Sequence, residues 1–442
     1  MSKIKMNLTV TFNIPDQGLN VNGLLQGLNK SSGSIMLTLV KALFIAIEEK
    51  TIQELQEKDP HRYQRNGYQR PRMLRTSFGP MKYRFSKVRD KTTGKNLVPL
   101  RDRLKIPKYR QYQDESMESA IGLSVHLSYQ RSKTEVDRIR GSAASRWTNR
   151  RRLFEFSESQ CQFGNMKKIP YRFLMVDSTQ VQLQGFKGMD LGQHPLCWAL
   201  ASKDVNEPFD IVGLWIDRSW KDIAADLEKR LDYTKLEVLF SDGEPDLIES
   251  LLKPGMQLQR CVIHGKRDFS YILYADNLKK PEQTQFVDYL KSIPVMQFSN
   301  ANIETLLAKD KSKIRKALRK TKESFAELID MLDPEKYPRA RAYISNLAQS
   351  VTTFLEWWLK NGEWIPFTTN RIENHFSQVK NRIKRIGRRW SDIGLLKWCM
   401  VMVRKMFYPS DWDLFWKQYL KINKPVSILW ESSCTWWYSK ID

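Results

Sequence analysis

Cysteine is scarce in this chain: Cys161, Cys197, Cys261, Cys399 and Cys434 are scattered over 442 residues. An odd, widely spaced set argues against a disulfide framework and for a reducing compartment. Long apolar runs are lacking as well. The opening MSKIKMNLTVTFNIP has no apolar segment of the kind a secretory leader needs. The most hydrophobic early run, Ile35–Ile47, is interrupted by Lys41 and is too short to span a bilayer. It leads into EEKTIQELQEK, which predicts one amphipathic helix around 33–58 and no membrane span. No repeat of fixed period and no low-complexity linker is visible.

Negative charge is also in short supply. The chain has 49 Asp and Glu against 73 Lys and Arg, a net charge of +24. A hydrophobic share of 41% supplies ample core material, and the length predicts roughly two to four domains. Uncompensated positive charge repels itself in a folded molecule and is usually tolerated because a polyanion neutralises it. Nucleic acid is the expected partner, which places the protein in the cytoplasm, at the nucleoid. Plain solubility and an anionic membrane surface are the alternatives.

The first residues read as a short strand (Leu8–Phe12) and a Gly/Asn-rich loop before the helix at 33–58. From Arg62 to Arg110 there are sixteen Lys and Arg against two Asp, interleaved with Tyr63, Tyr68, Phe78, Tyr83, Phe85 and Tyr109. Cations track phosphates and aromatic rings stack on bases, so Arg62, Arg65, Arg70 and Arg72 are candidate DNA contacts; the alternative is a solvated basic hairpin with its rings packed inward. The segment SYQRSKTEVDRIRGSAASRWTNRRRLF has the layout of a helix-turn-helix, with its turn at Gly141 and a second helix from Ala143. That helix carries Arg146, Asn149, Arg150 and Arg151 as candidate groove and phosphate contacts. An ordinary helical hairpin with a basic face has the same layout.

From Tyr171 the period becomes that of strands: YRFLMVD, TQVQLQ, PLCWALAS and FDIVGLWI. Ser219 is placed to cap a helix with Ile223, Leu227 and Leu231 on one face, and KLEVLFSDG, a helix and LQRCVI follow. This is an α/β order. Two apolar strands end in acids, Asp177 and Asp242. A carboxylate that closes a buried run is costly unless it is solvated, paired or bound to a cation, and hard divalent ions take oxygen ligands from several elements. Each Asp alone reads equally as a turn residue, Asp242 before Gly243 especially. A third acid, Glu373, opens the helix TTNRIENHFSQVKNRIKRIGRR, whose core face is Ile372, Phe376, Val379, Ile383 and Ile386. Taken alone, Asn370 with Glu373 reads first as a capping pattern. The cations that follow, among them Lys380, Arg382, Lys384, Arg385, Arg388 and Arg389, form either a counterweight to a phosphodiester or a solvated face.

Four blocks in order, FLMVDSTQVQLQG, SDGEPDLIESLL, QRCVIHGKRD and TTNRIENHFSQVKNRIKR, resemble those of Mutator-like transposases and their bacterial and archaeal insertion-sequence relatives. The basic RNGYQRPRMLRTSFGPMKYRFSKVRD resembles the segment that precedes the catalytic domain in that group. Ser178 stands where many relatives have Gly, and the Trp-rich tail has no counterpart.

The resemblance implies an α/β, ribonuclease-H-like mixed sheet with an all-helical insertion, a basic and helical N-terminal DNA-binding region, and a helical C-terminus. Asp177, Asp242 and Glu373 would be the catalytic acids, binding two Mg²⁺ ions, or Mn²⁺. Cys261 and His264 fall on the group's Cys-x-x-His signature; with no second pair nearby, a structural turn is expected there rather than zinc. The chain then divides into 1–60, the basic region 61–155, the first part of the core at 166–276, the insertion at 277–362, the final core helix at 363–408 and the aromatic tail at 409–442. The expected activity is cleavage at terminal inverted repeats and transfer of the 3′ hydroxyl strand into target DNA, by at least a dimer. A derived DNA-binding regulator and a nuclease without strand transfer are the rival readings.

Overall fold

The computed structural model describes residues 20–108, 114–140, 143–160, 168–183, 193–298, 310–386 and 390–420. The strand expected at Leu8–Phe12, the turn at Gly141, residues Arg388 and Arg389, and the tail beyond residue 420 lie outside them. The chain forms two units, Met1–Glu155 with Arg404–Asp442, and Phe156–Val403.

In the first unit a long helix, α1 (Val21–Lys58), begins well before the expected position. Asn20 caps it, its side chain accepting from the Gly23 N–H at 2.8 Å. Extending an existing helix needs no new nucleus, so each added residue gains a hydrogen bond, and this outweighs about 1 kcal/mol for each of the glycines it absorbs. Among the described residues α1 is long and apolar enough to cross a membrane by length and composition. Its second half is nevertheless built into protein. Leu37, Val40, Phe44 and Ile47 pack on a core of Leu74, Met81, Tyr83, Phe85, Val98 and Leu100. Buried Glu48 is the anchor: it accepts from the Ser86 N–H and hydroxyl, each at 2.9 Å, and from the Tyr83 hydroxyl at 3.2 Å.

The partners of α1 are strands and the short helix that follows them. Strands β1 (Tyr63–Tyr68), β4 (Ser86–Asp90) and β5 (Asn96–Leu97) make a three-stranded antiparallel sheet, and β2 (Arg72–Thr76) and β3 (Gly79–Tyr83) make a hairpin. Helix α2 (Pro99–Arg103) is followed by α3 (Asp114–Ser124), α4 (Tyr129–Arg140) and α5 (Arg146–Gln160). Small residues bring α3 and α4 together, with the Ser124 and Ser132 hydroxyls both donating to the Ala120 carbonyl at 2.7 and 2.8 Å.

The second unit is a layered α/β body. Its five-stranded sheet has the order β10 (Gln257–Arg260), β9 (Val238–Ser241), β6 (Phe173–Gln182), β7 (Gln193–Ser202), β8 (Asp210–Ile216). Strands β6, β7 and β8 are antiparallel; β9 runs parallel to β6, and β10 parallel to β9. The TQVQ of TQVQLQ therefore continues β6, which ends at Gln182. Successive side chains alternate between faces. Leu174, Val176, Cys197, Ala199 and Leu239 meet α6 (Trp220–Leu227) and α7 (Pro245–Leu251) on one face, through Ile223, Leu227, Leu247 and Leu251. Ser219 caps α6, accepting from the Asp222 N–H at 3.2 Å. In β8, Trp215 folds over Gly213 so closely that a Cβ there would lie 1.8 Å from its ring, so glycine is required.

The chain continues with α8 (Val262–Ala275), α9 (Lys280–Ser292), α10 (Lys311–Met331), α11 (Pro338–Ser350), α12 (Thr353–Asn361) and α13 (Asn370–Ile386); α11, α12 and α13 meet the sheet on its opposite side, and α8, α9 and α10 pack on these helices and on one another. Phe173 meets Phe240 on this face at 6.3 Å and the α12 residue Trp357 at 5.7 Å, edge-on. Trp198, paired with Asp177 across β6 and β7, packs edge-on against Phe376 of α13. Helix α14 (Asp392–Phe407) follows, and α15 (Pro409–Tyr419) ends the described chain with Trp412 and Trp416 packed against each other at 5.6 Å.

Candidate active site

Alternation along β6 puts Asp177 on the helix-covered face, in line with Phe173 and Met175. It is 3% exposed, and one of its carboxylate oxygens accepts the N–H of Ser178 at 2.7 Å. Strand β9 ends at Ser241, and half-buried Asp242 starts the turn, its carboxylate accepting the Glu244 N–H at 3.1 Å. Gly243 makes that turn possible, with φ at 103° and the Arg260 guanidinium lying where a Cβ would be. Strand β10 runs into Cys261, the residue before α8, so His264 sits in the first turn of that helix. Glu373 sits in the first turn of α13.

These elements bring Asp177, His264 and Glu373 together, with one ligand atom from each within 4.8 Å of the others. The His264 Nε2 lies 3.1 Å from the Glu373 Oε1. The Glu373 side chain is therefore turned to His264, and the backbone N–H groups of Ile372 and Glu373 go to the Thr369 carbonyl at 2.9 and 3.2 Å. That corrects the capping pattern expected from Asn370 and Glu373: the helix start is held by backbone, and the carboxylate is directed into the site. Asp242 is not one of the converging trio, but its charge reaches Asp177.

The electrostatics record crowding of like charge. Burial, then the charges of Asp242 and Glu373, push the Asp177 carboxyl up to about 7 against the opposing pull of His264 and the Ser178 N–H. For His264, burial alone disfavours the cation, but the hydrogen bond and charge of Cys261 and the charge of Asp177 outweigh it, taking the imidazole up to about 9. The Cys261 thiol is raised by burial and lowered more by His264, so it moves down overall.

The Cys-x-x-His pair links two chain segments. Buried Cys261 accepts the Thr369 N–H at 3.4 Å, and the His264 Nδ1 meets the Thr369 hydroxyl at 3.3 Å. The turn between β10 and α8 is thus tied to the residue before α13, which aims His264 at Glu373. Beyond the structural turn expected of this pair, His264 is thus a member of the acid cluster, which was not expected of it. No spacing in the sequence signals that membership, which depends on contacts to Thr369 and Glu373. Arg267, one turn along α8, was likewise not among the expected site residues, and its charge is felt at both Glu373 and Asp177. A groove of about 640 Å³ lies on the α6 and α7 face of the sheet, away from Asp177, and is lined by Ser178, Gln180, Arg218, Lys221, Glu244 and Asp246, among others.

The candidate DNA-contacting cations are distributed unevenly. In the first unit Arg70, Arg146, Arg150 and Arg151 are exposed. Arg62 is bonded to Asp90 through two nitrogens at 3.0 and 2.9 Å, Arg65 is paired with Glu49, and Arg72 donates to the Pro107 carbonyl at 3.0 Å. Asn149 is fully buried, and α5 starts at Arg146 rather than Ala143, because Ala143 and Ala144 are packed inward and Ser145 receives the Thr148 N–H. The groove-reading position expected for Asn149 is therefore corrected. In the second unit Lys380 and Lys384 are exposed, whereas Arg382 is 6% exposed, with its guanidinium 5.5 and 5.4 Å from the rings of Trp390 and Trp398. Cation–π packing in the interior takes Arg382 off the phosphate-facing surface expected for it. The Arg385 side chain lies outside the described residues.

An uncharacterised protein family, UPF0236, matches residues 14–188, a stretch that ends just beyond Asp177. No curated protein matches the chain.

Proposed function

We propose that this protein is a three-acid (DDE) DNA transposase of the Mutator-like kind, with Asp177, Asp242 and Glu373 as its catalytic acids. The observation that carries the proposal is the convergence of Asp177 and Glu373, far apart in the chain, with His264 at one sheet face. The strand order supports a ribonuclease-H-like core: three antiparallel strands with the first acid on the middle strand of the sheet, two further strands parallel to it, the second acid just past the neighbouring strand and the third on a late helix. The helices between Asn277 and Asn361 fit the expected insertion.

The donor set fits a divalent ion. Carboxylates from a strand and a helix meet an imidazole, and a cation would offset the burial and the like charge that raise Asp177 to about 7. Asp177, Glu373 and His264, the last after releasing its proton, would hold one ion and Asp242 with Asp177 a second; Mg²⁺ or Mn²⁺ suits the oxygens, and the imidazole favours Mn²⁺. Such ions supply Lewis-acid charge at a phosphodiester. Zinc is not part of this reading, since Cys261 is not among the converging donors. The chain's own contribution is positional. Strand β6 and the Ser178 N–H fix one Asp177 oxygen, Thr369 fixes the His264 ring, and His264 orients Glu373. Arg267, paired with Asp268, adds positive charge that reaches both Glu373 and Asp177. Two element ends need two active sites, so at least a dimer on DNA is part of the proposal, as is a cytoplasmic location.

The test is a joining assay on duplexes carrying the DNA that flanks the coding sequence. The protein should cut them with Mg²⁺ or Mn²⁺ and join the 3′ hydroxyl to a plasmid, and Asp177→Asn, Asp242→Asn and Glu373→Gln should each abolish both steps while keeping duplex binding. Joining by any of these variants contradicts the assignment. Cutting without joining, even when a 3′ hydroxyl end is supplied, points to a nuclease instead.

A further inference from the structure

Helix α10 is charged in the wrong direction for its own stability. Its first twelve residues carry Lys311, Lys313, Arg315, Lys316, Arg319, Lys320 and Lys322 and no acid. Its last nine carry Glu323, Glu327 and Asp330 and no cation. A helix favours anions at its N-terminus and cations at its C-terminus, each worth about 0.3–1 kcal/mol, so this layout opposes the macrodipole at both ends. The one ion pair within the helix, Arg319–Glu323 at 3.8 Å, also runs in the less favourable order. Only the Asp310 cap, accepting from the Ser312 N–H at 2.8 Å, works with the dipole at the start.

All seven cations are exposed. At about 100° per residue they occupy the arc opposite the buried face of Ile314, Thr321, Phe325 and Leu328. Lys322 is paired with Glu356 at 2.9 Å. Lys311, Lys313, Arg315, Lys316 and Lys320 make no ion pair with the described residues. Twelve residues of helix extend about 18 Å, a length over which duplex DNA presents roughly ten phosphate charges.

We propose that the first half of α10 is a docking surface for the phosphate backbone of duplex DNA. A polyanion reverses each unfavourable feature at once: it supplies the negative charge that the helix start lacks and neutralises cations that otherwise repel one another. Phosphate contacts of this kind position a duplex and carry no sequence information themselves. In this role the inserted helices hold substrate while the acids act on it. The inference rests on the proposed function for the identity of the polyanion.

The experiment compares Lys313→Gln/Lys316→Gln/Lys320→Gln with a triple variant of equal charge on the same unit, Lys203→Gln/Lys229→Gln/Lys235→Gln. Binding to a duplex of about 30 base pairs is measured against salt. At about 0.9 per phosphate contact, the α10 triple should lower the slope of log K against log salt by roughly 2.7, and the control should leave it nearly unchanged. Glutamine is a good helix former and removes cations from a helix start, so the melting temperature of the α10 variant should be equal or higher. An unchanged slope in the α10 variant, or equal loss in both variants, overturns the inference. Failure of the unmodified protein to bind duplex DNA at all is a separate result, and it would sink the proposed function itself.

Discussion

Removing the negative charge of Asp177 should stabilise the metal-free protein while destroying its site. Its carboxyl moves from an ordinary 3.8 to about 7, roughly three pH units at about 1.4 kcal/mol each. A raised carboxyl binds its proton more tightly in the folded state than in the unfolded one. The cost is therefore absent below pH 3.8, grows between there and about 7, and is constant above, reaching at most about 4 kcal/mol. Asp177→Asn removes the ionisation but keeps the shape. Urea melts in the presence of a chelator should show the variant more stable than the unmodified protein at about pH 8 and level with it near pH 4. Adding Mn²⁺ should then raise the stability of the unmodified protein and leave the variant where it was, since only a site that binds the ion gains from it. A variant less stable than the parent at about pH 8 without metal would refute the argument that Asp177 is held against its charge.

Two predictions concern the first unit. Glu48→Ala leaves the buried Ser86 N–H without its acceptor and should cost about 1–3 kcal/mol in a denaturant melt, with loss of the helical signal of α1. Asp90 is held well below the usual carboxylate range chiefly by Arg62, against burial and with help from Thr93 and Thr92, so its contribution is present above its ordinary 3.8 and lost as the pH falls below that; Arg62→Met should lower the melting temperature at about pH 6 and lessen its further fall in acid.

Much of the α/β layer order is written in local pattern. The apolar runs before Asp177 and Asp242, the capping Ser219 with Ile223 and Leu227, and the core stripe Ile372, Phe376 and Val379 each announce their element through spacing alone. What pattern cannot carry is which face a polar residue takes after packing. Asn149 and Arg382 stand in basic runs that look uniformly solvated, yet one is buried in its helix packing and the other lies over two Trp rings contributed from beyond α13. The start of α1 was obscured because Gly23 and Gly27 read as loop, while the helix they interrupt is already nucleated by its packed half. His264 entered the acid cluster only through Thr369, more than a hundred positions away in the chain, a relation with no sequence spacing to reveal it. Charge order along α10 was legible throughout, but it becomes informative only once the helix has a direction and a buried face.

Divalent-ion binding is where the account is most exposed. Electron paramagnetic resonance of bound Mn²⁺ should show ions held by the unmodified protein, with Asp177→Asn and Glu373→Gln each releasing them and His264→Gln weakening them. Mn²⁺ bound with unchanged affinity and spectrum in Asp177→Asn and Glu373→Gln would mean that these side chains do not meet around a cation.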